Sequence, residues 1–222
     1  MKPFLIIISL FTFAIVLGQK RQCSCAVDSL NTFTTINCKT TFLKNNSKLY
    51  WQFNCDKFWL TLENRNGGKK VINKVDLGGY YYVNRLGFHL IKEFDKSILF
   101  RSDCSSNGPC NYNLIDKITG NKIKEFGQLI CIDADIKEKK YKFDFVVYFS
   151  KNNDKLKIYY LDSKKVLTVP FDVINNNLQC LIPEFQFDKM SLKGNILTLF
   201  YTNMNDKKMY LKINLTNKKY KW

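Results

Sequence analysis

Apolar and aromatic residues in this chain come in short runs of five to seven, broken every few positions by Asn, Asp, Gly and Lys, with no long amphipathic helical stretch anywhere. Runs of that length separated by turn residues read as strands joined by tight connections, because strand side chains alternate with period two while Asn, Asp and Gly tolerate the backbone of a turn. Lys48 to Phe53, Phe58 to Glu63 and Lys70 to Val75 are such runs, with a turn at Asn64 to Gly68. Phe88 to Phe94, Ser97 to Arg101, Asn111 to Asp116 and Lys122 to Phe126 continue them, the last two around Thr119-Gly120-Asn121. Tyr141 to Phe149, Leu156 to Leu161 and Lys165 to Val169 predict a three-stranded meander. Ile196 to Tyr201, Lys208 to Leu215 and Lys218 to Trp222 predict another.

The fold class is therefore all-β, built of antiparallel meanders. Leu62-Glu63-Asn64, Ile118-Thr119-Gly120, Leu161-Asp162-Ser163 and Leu215-Thr216-Asn217 each end an apolar strand in polar turn residues. They form a weak internal repeat, which suits the blades of a small propeller-like array. Their uneven spacing is equally compatible with a β-sandwich or barrel.

Residues 1–18 read as a signal peptide. Lys2 precedes an apolar run from Phe4 to Leu17, and small Gly18 precedes polar Gln19-Lys20-Arg21. The run is shorter than the roughly 20 apolar residues that a spanning helix needs. Cleavage before Gln19 is expected, and with it a secreted or periplasmic protein lacking an integral membrane segment. Residues 19–44 form a Cys-rich N-terminal segment, and 45–222 a single all-β domain.

All eight cysteines follow the leader, an even number that reads as a disulfide framework in an exported protein. Cys104 and Cys110 flank a Gly-Pro turn that lets them approach, closing a loop worth about 2.4 kcal/mol in chain entropy. A Cys131–Cys180 bridge would contribute about 4 kcal/mol. Cys23 and Cys25 are too close to pair comfortably with each other, so each ties the N-terminal segment to Cys38, Cys55 or another partner. Zinc at Cys23-Ser-Cys25 is disfavoured because no histidine stands near. No metal or other cofactor is expected.

The chain carries 35 Lys and Arg against 19 Asp and Glu, a net charge of +16, and removing Lys2 with the leader leaves +15. Such a charge favours partners that are anionic: nucleic acid, cell-surface glycan, lipid headgroups or an acidic protein. Codon bias toward Lys, Asn and Ile, and lysines placed in solvated turns, would give the same composition. Aromatics are plentiful, and Tyr80, Tyr82 and Trp59 with Lys69 and Lys70 are the candidate binding residues, since exposed rings beside lysines suit sugars or single-stranded nucleic acid.

Catalytic motifs are largely absent. His89 is the sole histidine, so a nucleophile–histidine pair would depend on it alone. Glu184 and Asp188 would share a face if their run were extended, and could then serve glycoside hydrolysis. Asp133, Asp135 and Glu138 offer carboxylates without the spacing of a calcium loop. Asn45-Asn46-Ser47 and Asn214-Leu215-Thr216 are sequons that matter only in a eukaryotic secretory pathway.

Over about residues 36–64, in Lys48-Leu-Tyr-Trp-Gln-Phe-Asn-Cys-Asp56 and Phe58-Trp-Leu-Thr-Leu-Glu-Asn64, the chain resembles uncharacterised exported all-β proteins of Bacteroidetes-type bacteria. The resemblance implies an exported home and carries no activity. Together these features predict an extracytoplasmic binding protein whose ligand is an anionic polymer or acidic partner. The alternatives are an extracytoplasmic glycan hydrolase and an inhibitor or immunity factor against a secreted enzyme.

Overall fold

The computed structural model describes residues 23–26, 38–76, 87–104, 109–130, 143–178, 182–217 and 219–220. Among them the chain forms fourteen strands in four antiparallel sheets, each a meander in chain order. Sheet 1 holds β1 (Thr41–Phe42), β2 (Lys48–Phe53), β3 (Lys57–Glu63) and β4 (Lys69–Asp76). Sheet 2 holds β5 (His89–Glu93), β6 (Ser97–Ser102), β7 (Asn111–Asp116) and β8 (Lys122–Phe126). Sheet 3 holds β9 (Phe145–Phe149), β10 (Lys155–Tyr160) and β11 (Val166–Pro170). Sheet 4 holds β12 (Phe187–Lys193), β13 (Ile196–Thr202) and β14 (Lys208–Asn214). None of the four closes on itself, which removes the barrel.

Sheet 3 has a rudimentary leading strand. Leu129 bridges Tyr148, the Ile130 N–H donates to the Val147 carbonyl at 2.8 Å, and the Phe149 N–H donates to the Gln128 carbonyl at 3.0 Å. Counting that segment, the recurring turn follows the third paired segment of every sheet. Its chemistry recurs too, since a short polar side chain replaces missing backbone partners. Asn64 Oδ1 accepts from the N–H groups of Asn66 and Gly68. Asp116 Oδ1 accepts from those of Ile118 and Thr119, and Asn214 Oδ1 from that of Thr216.

Consecutive sheets pack face to face, as propeller blades do. Leu49, Leu60 and Leu62 of sheet 1 share a cluster with Ile98, Phe100 and Ile115 of sheet 2. The Phe126 ring of sheet 2 meets Tyr148 and Tyr159 of sheet 3 edge-on at 5.0 and 5.5 Å. Phe149 of sheet 3 lies 5.9 Å from Phe187 of sheet 4, and Phe171, just past β11, 6.2 Å from Tyr201. Burying each such ring contributes roughly 1.5–3 kcal/mol, so the stack is held by aromatic contacts between sheets as well as by ladder hydrogen bonds within them.

Sheet 1 begins ahead of residue 45: Thr41 and Phe42 pair with Leu49 and Lys48, and Leu43 is buried. Three disulfides are present among the described residues, Cys23–Cys55, Cys25–Cys38 and Cys104–Cys110. The first two fasten the N-terminal segment to the start and the β2–β3 turn of sheet 1. Cys131 and Cys180 lie outside the described residues, as do Tyr80, Tyr82, Asp133, Asp135 and Glu138. No helix among the described residues is long and apolar enough to cross a membrane.

Sheets 1 and 2 also meet at a turn. Gly120 has φ of +65°, and a Cβ there would sit 2.9 Å from Cδ of Lys70, whose ammonium reaches the Asn121 carboxamide. Gly120→Ala is expected to cost about 1–2 kcal/mol, since the left-handed backbone penalises any Cβ and the Lys70 stem must also move. A urea midpoint equal to that of the unaltered protein would refute this.

Candidate binding face and turn-end cavity

Those residues singled out in the sequence that the structure describes do not converge. Trp59 and Lys69 lie on the face of sheet 1 turned away from sheet 2, but at different positions: Trp59 pairs with Lys74, Lys69 with Glu63. The Trp59 indole is half-buried and donates to Gln52 Oε1 at 3.1 Å, and the Thr61 hydroxyl donates to the same oxygen at 2.9 Å. Glu63 gathers the Lys48 ammonium at 3.1 Å, the Tyr50 hydroxyl at 3.0 Å and the Lys69 ammonium at 3.7 Å. The bonds from Lys48 and then from Tyr50 hold the Glu63 carboxyl below its ordinary range, while burial, and then Glu63, push the Tyr50 hydroxyl up. Lys70 pairs with Leu62 on the opposite face, toward sheet 2.

The catalytic candidates are likewise dispersed. Glu184 and Asp188 do not share an extended strand: Pro183–Gln186 forms a 3-10 turn, and β12 starts at Phe187 with a bulge before Lys189. Glu184 is buried on that turn, whereas Asp188 is exposed and accepts from the Thr202 hydroxyl at 3.2 Å. The period-two argument fails there because proline at the first position of the turn favours a tight helical start over an extended one. His89 is half-buried on β5 opposite Arg101, in a different sheet. Among the described residues no group of three or more His, Cys, Asp or Glu is placed to hold a metal ion.

A cavity of about 550 Å³ opens where the turns of sheets 2 and 3 gather. Lys44, Lys96 and Lys164 face Asp95, Asp116 and Asp162 around it, so its charges largely cancel. None of His89, Glu184 or Asp188 lines it. Burial pushes the Asp116 carboxyl up, but the Thr119 N–H and hydroxyl and the Ile118 N–H outweigh this and hold it below the ordinary range. Behind one wall, Lys117 is buried at 1% exposure with its ammonium 2.5 Å from Glu93 Oε1.

Lysines and exposed rings do come together on the outward face of sheet 4. Register places Phe200 opposite Tyr210 and Lys189, Thr198 opposite Lys212 and Ser191, Ile196 opposite Asn214 and Lys193, and Thr202 opposite Lys208. The alternate positions Leu197, Leu199, Tyr201 and Ile213 are buried against sheet 3, which turns the first set to solvent. Tyr210 is 62% exposed and Phe200 38%. Lys189, Lys193, Lys208 and Lys212 are all exposed, and the Lys212 ammonium lies 5.4 Å from the Tyr210 ring centroid. The outcome is a sheet face on which Phe200 and Tyr210 stand side by side, with Lys189, Lys193, Lys208 and Lys212 around them and the Asp188 carboxylate at the Thr202 end.

Sequence reasoning placed a strand from Lys208 to Leu215 but did not single out its lysines and rings, because which of its sides is covered depends on the neighbouring sheet. The signal was the alternation in Lys208-Met-Tyr-Leu-Lys-Ile-Asn214, which sets Lys208, Tyr210, Lys212 and Asn214 on one side. No family model matches this chain, and no curated protein matches it.

Proposed function

We propose that this is an exported binding protein that holds an anionic polymer on the outward face of sheet 4. The observation that carries the reading is the pairing of Phe200 with Tyr210 inside the ring of Lys189, Lys193, Lys208 and Lys212. Adjacent rings on a flat sheet accept the faces of bases or sugars, and surrounding ammonium groups neutralise a charged backbone. Lys208 and Lys212, four positions apart on β14, have Cα atoms about 13 Å apart. That distance suits a polymer laid along the strand rather than a single small anion. Export is supported by the leader-like residues 1–18 and by three disulfides, which persist in oxidising compartments.

Four neutralised charges on a single-stranded polyanion give a salt slope of roughly −3, so affinity is expected to fall about 50-fold between 50 and 200 mM salt. Titration of the mature protein against single-stranded DNA, heparin-like glycan and anionic vesicles at both salt levels measures it. Lys208→Gln with Lys212→Gln is expected to halve the slope, and Tyr210→Ala to weaken binding with the slope unchanged. No binding to any of the three at low salt defeats the reading and leaves the lysines as compositional bias.

A further inference from the structure

Of the two sequons in this chain, the fold presents one in a form that a glycosyl transferase can use. We infer that Asn214 is an N-glycan acceptor. Asn214 is the last residue of β14, exposed, and on the outward face of sheet 4 opposite Ile196. The chain then turns: the Leu215 N–H donates to the Asn195 carbonyl at 2.8 Å and the Asn217 N–H to the Asn214 carbonyl at 3.1 Å. Within the turn, the Thr216 N–H donates to Asn214 Oδ1 at 3.1 Å, and the Thr216 hydroxyl donates to the same oxygen at 2.8 Å. Thr216 is exposed as well. Both elements that a sequon must show, the carboxamide and the hydroxyl two residues on, are thus held together at the surface. The two donors on Oδ1 draw density from the carboxamide and make the Nδ2 protons more acidic, which eases the transfer of one of them to a base.

The other sequon is presented differently. Asn45 is half-buried in the β1–β2 turn, and Ser47, which would supply the hydroxyl, is 0% exposed. The Leu43 N–H donates to the Ser47 carbonyl at 2.9 Å, closing that turn against the core. In the folded protein its hydroxyl is out of reach of a large enzyme.

The reaction is a group transfer without redox change. Nδ2 of Asn214 forms a bond to the anomeric carbon of a lipid-pyrophosphate-linked oligosaccharide. The bond between that carbon and the pyrophosphate oxygen breaks, the lipid pyrophosphate leaves with the electron pair, and one Nδ2 proton passes to a base of the transferase. The sugar then stands at the Ile196 end of the sheet 4 face, away from Lys208 and Thr202 at the other. The assignment requires passage through a eukaryotic secretory route, and it does not rest on the polymer reading.

The test is to produce the full chain, leader included, in cultured eukaryotic cells and to treat both secreted and cell-retained protein with a peptide N-glycosidase, which converts a glycosylated Asn to Asp. The peptide from Ile213 to Lys218 is expected to carry Asp at 214 in most molecules. Thr216→Ala is expected to abolish the conversion, and Thr216→Ser, which keeps a hydroxyl, to retain it. An unmodified 213–218 peptide in both fractions, or a glycan on Asn45 alone, overturns the assignment.

Discussion

Glu93→Ala is expected to lower the stability of the protein by about 3–5 kcal/mol, because it strands the Lys117 ammonium in the interior without its counter-charge. Lys117 leaves β7 in the turn toward β8, and its side chain is 1% exposed, against 17% for Glu93 at the end of β5. Glu93 Oε1 also accepts the Lys44 N–H at 2.8 Å, so one carboxylate ties two turns of sheet 2 to the β1–β2 turn of sheet 1. The reciprocal change should behave differently. Lys117→Met places a similarly long apolar chain in the same space and leaves Glu93 partly hydrated and still bonded to Lys44, so its expected cost is under about 1.5 kcal/mol. Urea denaturation of the two variants decides the matter. Equal losses would mean that the pair acts through contact rather than through the uncompensated charge.

That ion pair also marks what local sequence could not disclose. The turn read from the sequence at Thr119-Gly120-Asn121 does form, with Asp116 Oδ1 accepting from the Thr119 N–H and hydroxyl. The burial of Lys117 depends on Glu93, 24 positions earlier, and on which side of the turn faces the neighbouring sheet. No window of the sequence contains both facts.

The strands themselves were largely legible. β2, β3, β7, β8 and β13 lie within a residue of where alternation and turn chemistry place them: β13 alternates because only one of its faces lies on a neighbouring sheet, whereas β7, buried at four successive positions between sheets 1 and 3, is bounded by its turns. β9 is buried on both faces, so it shows no alternation and is recognisable only as an apolar run between turns. β12 escaped notice since the bulge between Phe187 and Lys189 shifts the phase within its first residues. The recurring turn was visible because Asn and Asp act on their own backbone two or three residues on, a local effect. Its uneven spacing reflects the differing connections between sheets and not a loss of the repeat.

The binding face was legible in kind and misplaced in position. Charge and aromatic content pointed to rings beside lysines, and alternation alone shows that Lys208, Tyr210 and Lys212 share a side. Which side of each sheet is covered is a property of the stack. Trp59 and Lys69 belong to a face where Glu63 pairs with Lys48 and Lys69 and where Gln52 holds the indole, whereas Phe200 and Tyr210 of sheet 4 are exposed, with the Lys212 ammonium beside the Tyr210 ring.

Removing the Cys23–Cys55 bridge is expected to cost more than removing Cys104–Cys110, with the N-terminal segment and the near end of sheet 1 loosening first. The two bridges span 32 and 6 positions. Chain entropy alone gives about 3.7 kcal/mol for the longer loop and about 2.4 kcal/mol for the shorter. Cys25–Cys38 lies inside the longer loop and shortens it, which brings that figure to about 3.3 kcal/mol while it stays intact. Packing widens the gap again: Cys23 is buried with Phe53 and Phe58, with Trp51 and Val75 against them, whereas Cys104 and Cys110 are only half-buried. Replacing both cysteines of a pair by serine avoids leaving a stray thiol, and urea unfolding without reductant then compares the two double variants directly. If the Cys104/Cys110 variant proves the less stable, the short bridge must be holding the β6–β7 connection in a way that loop length does not capture, and the ranking of the two bridges by loop length and burial would be wrong.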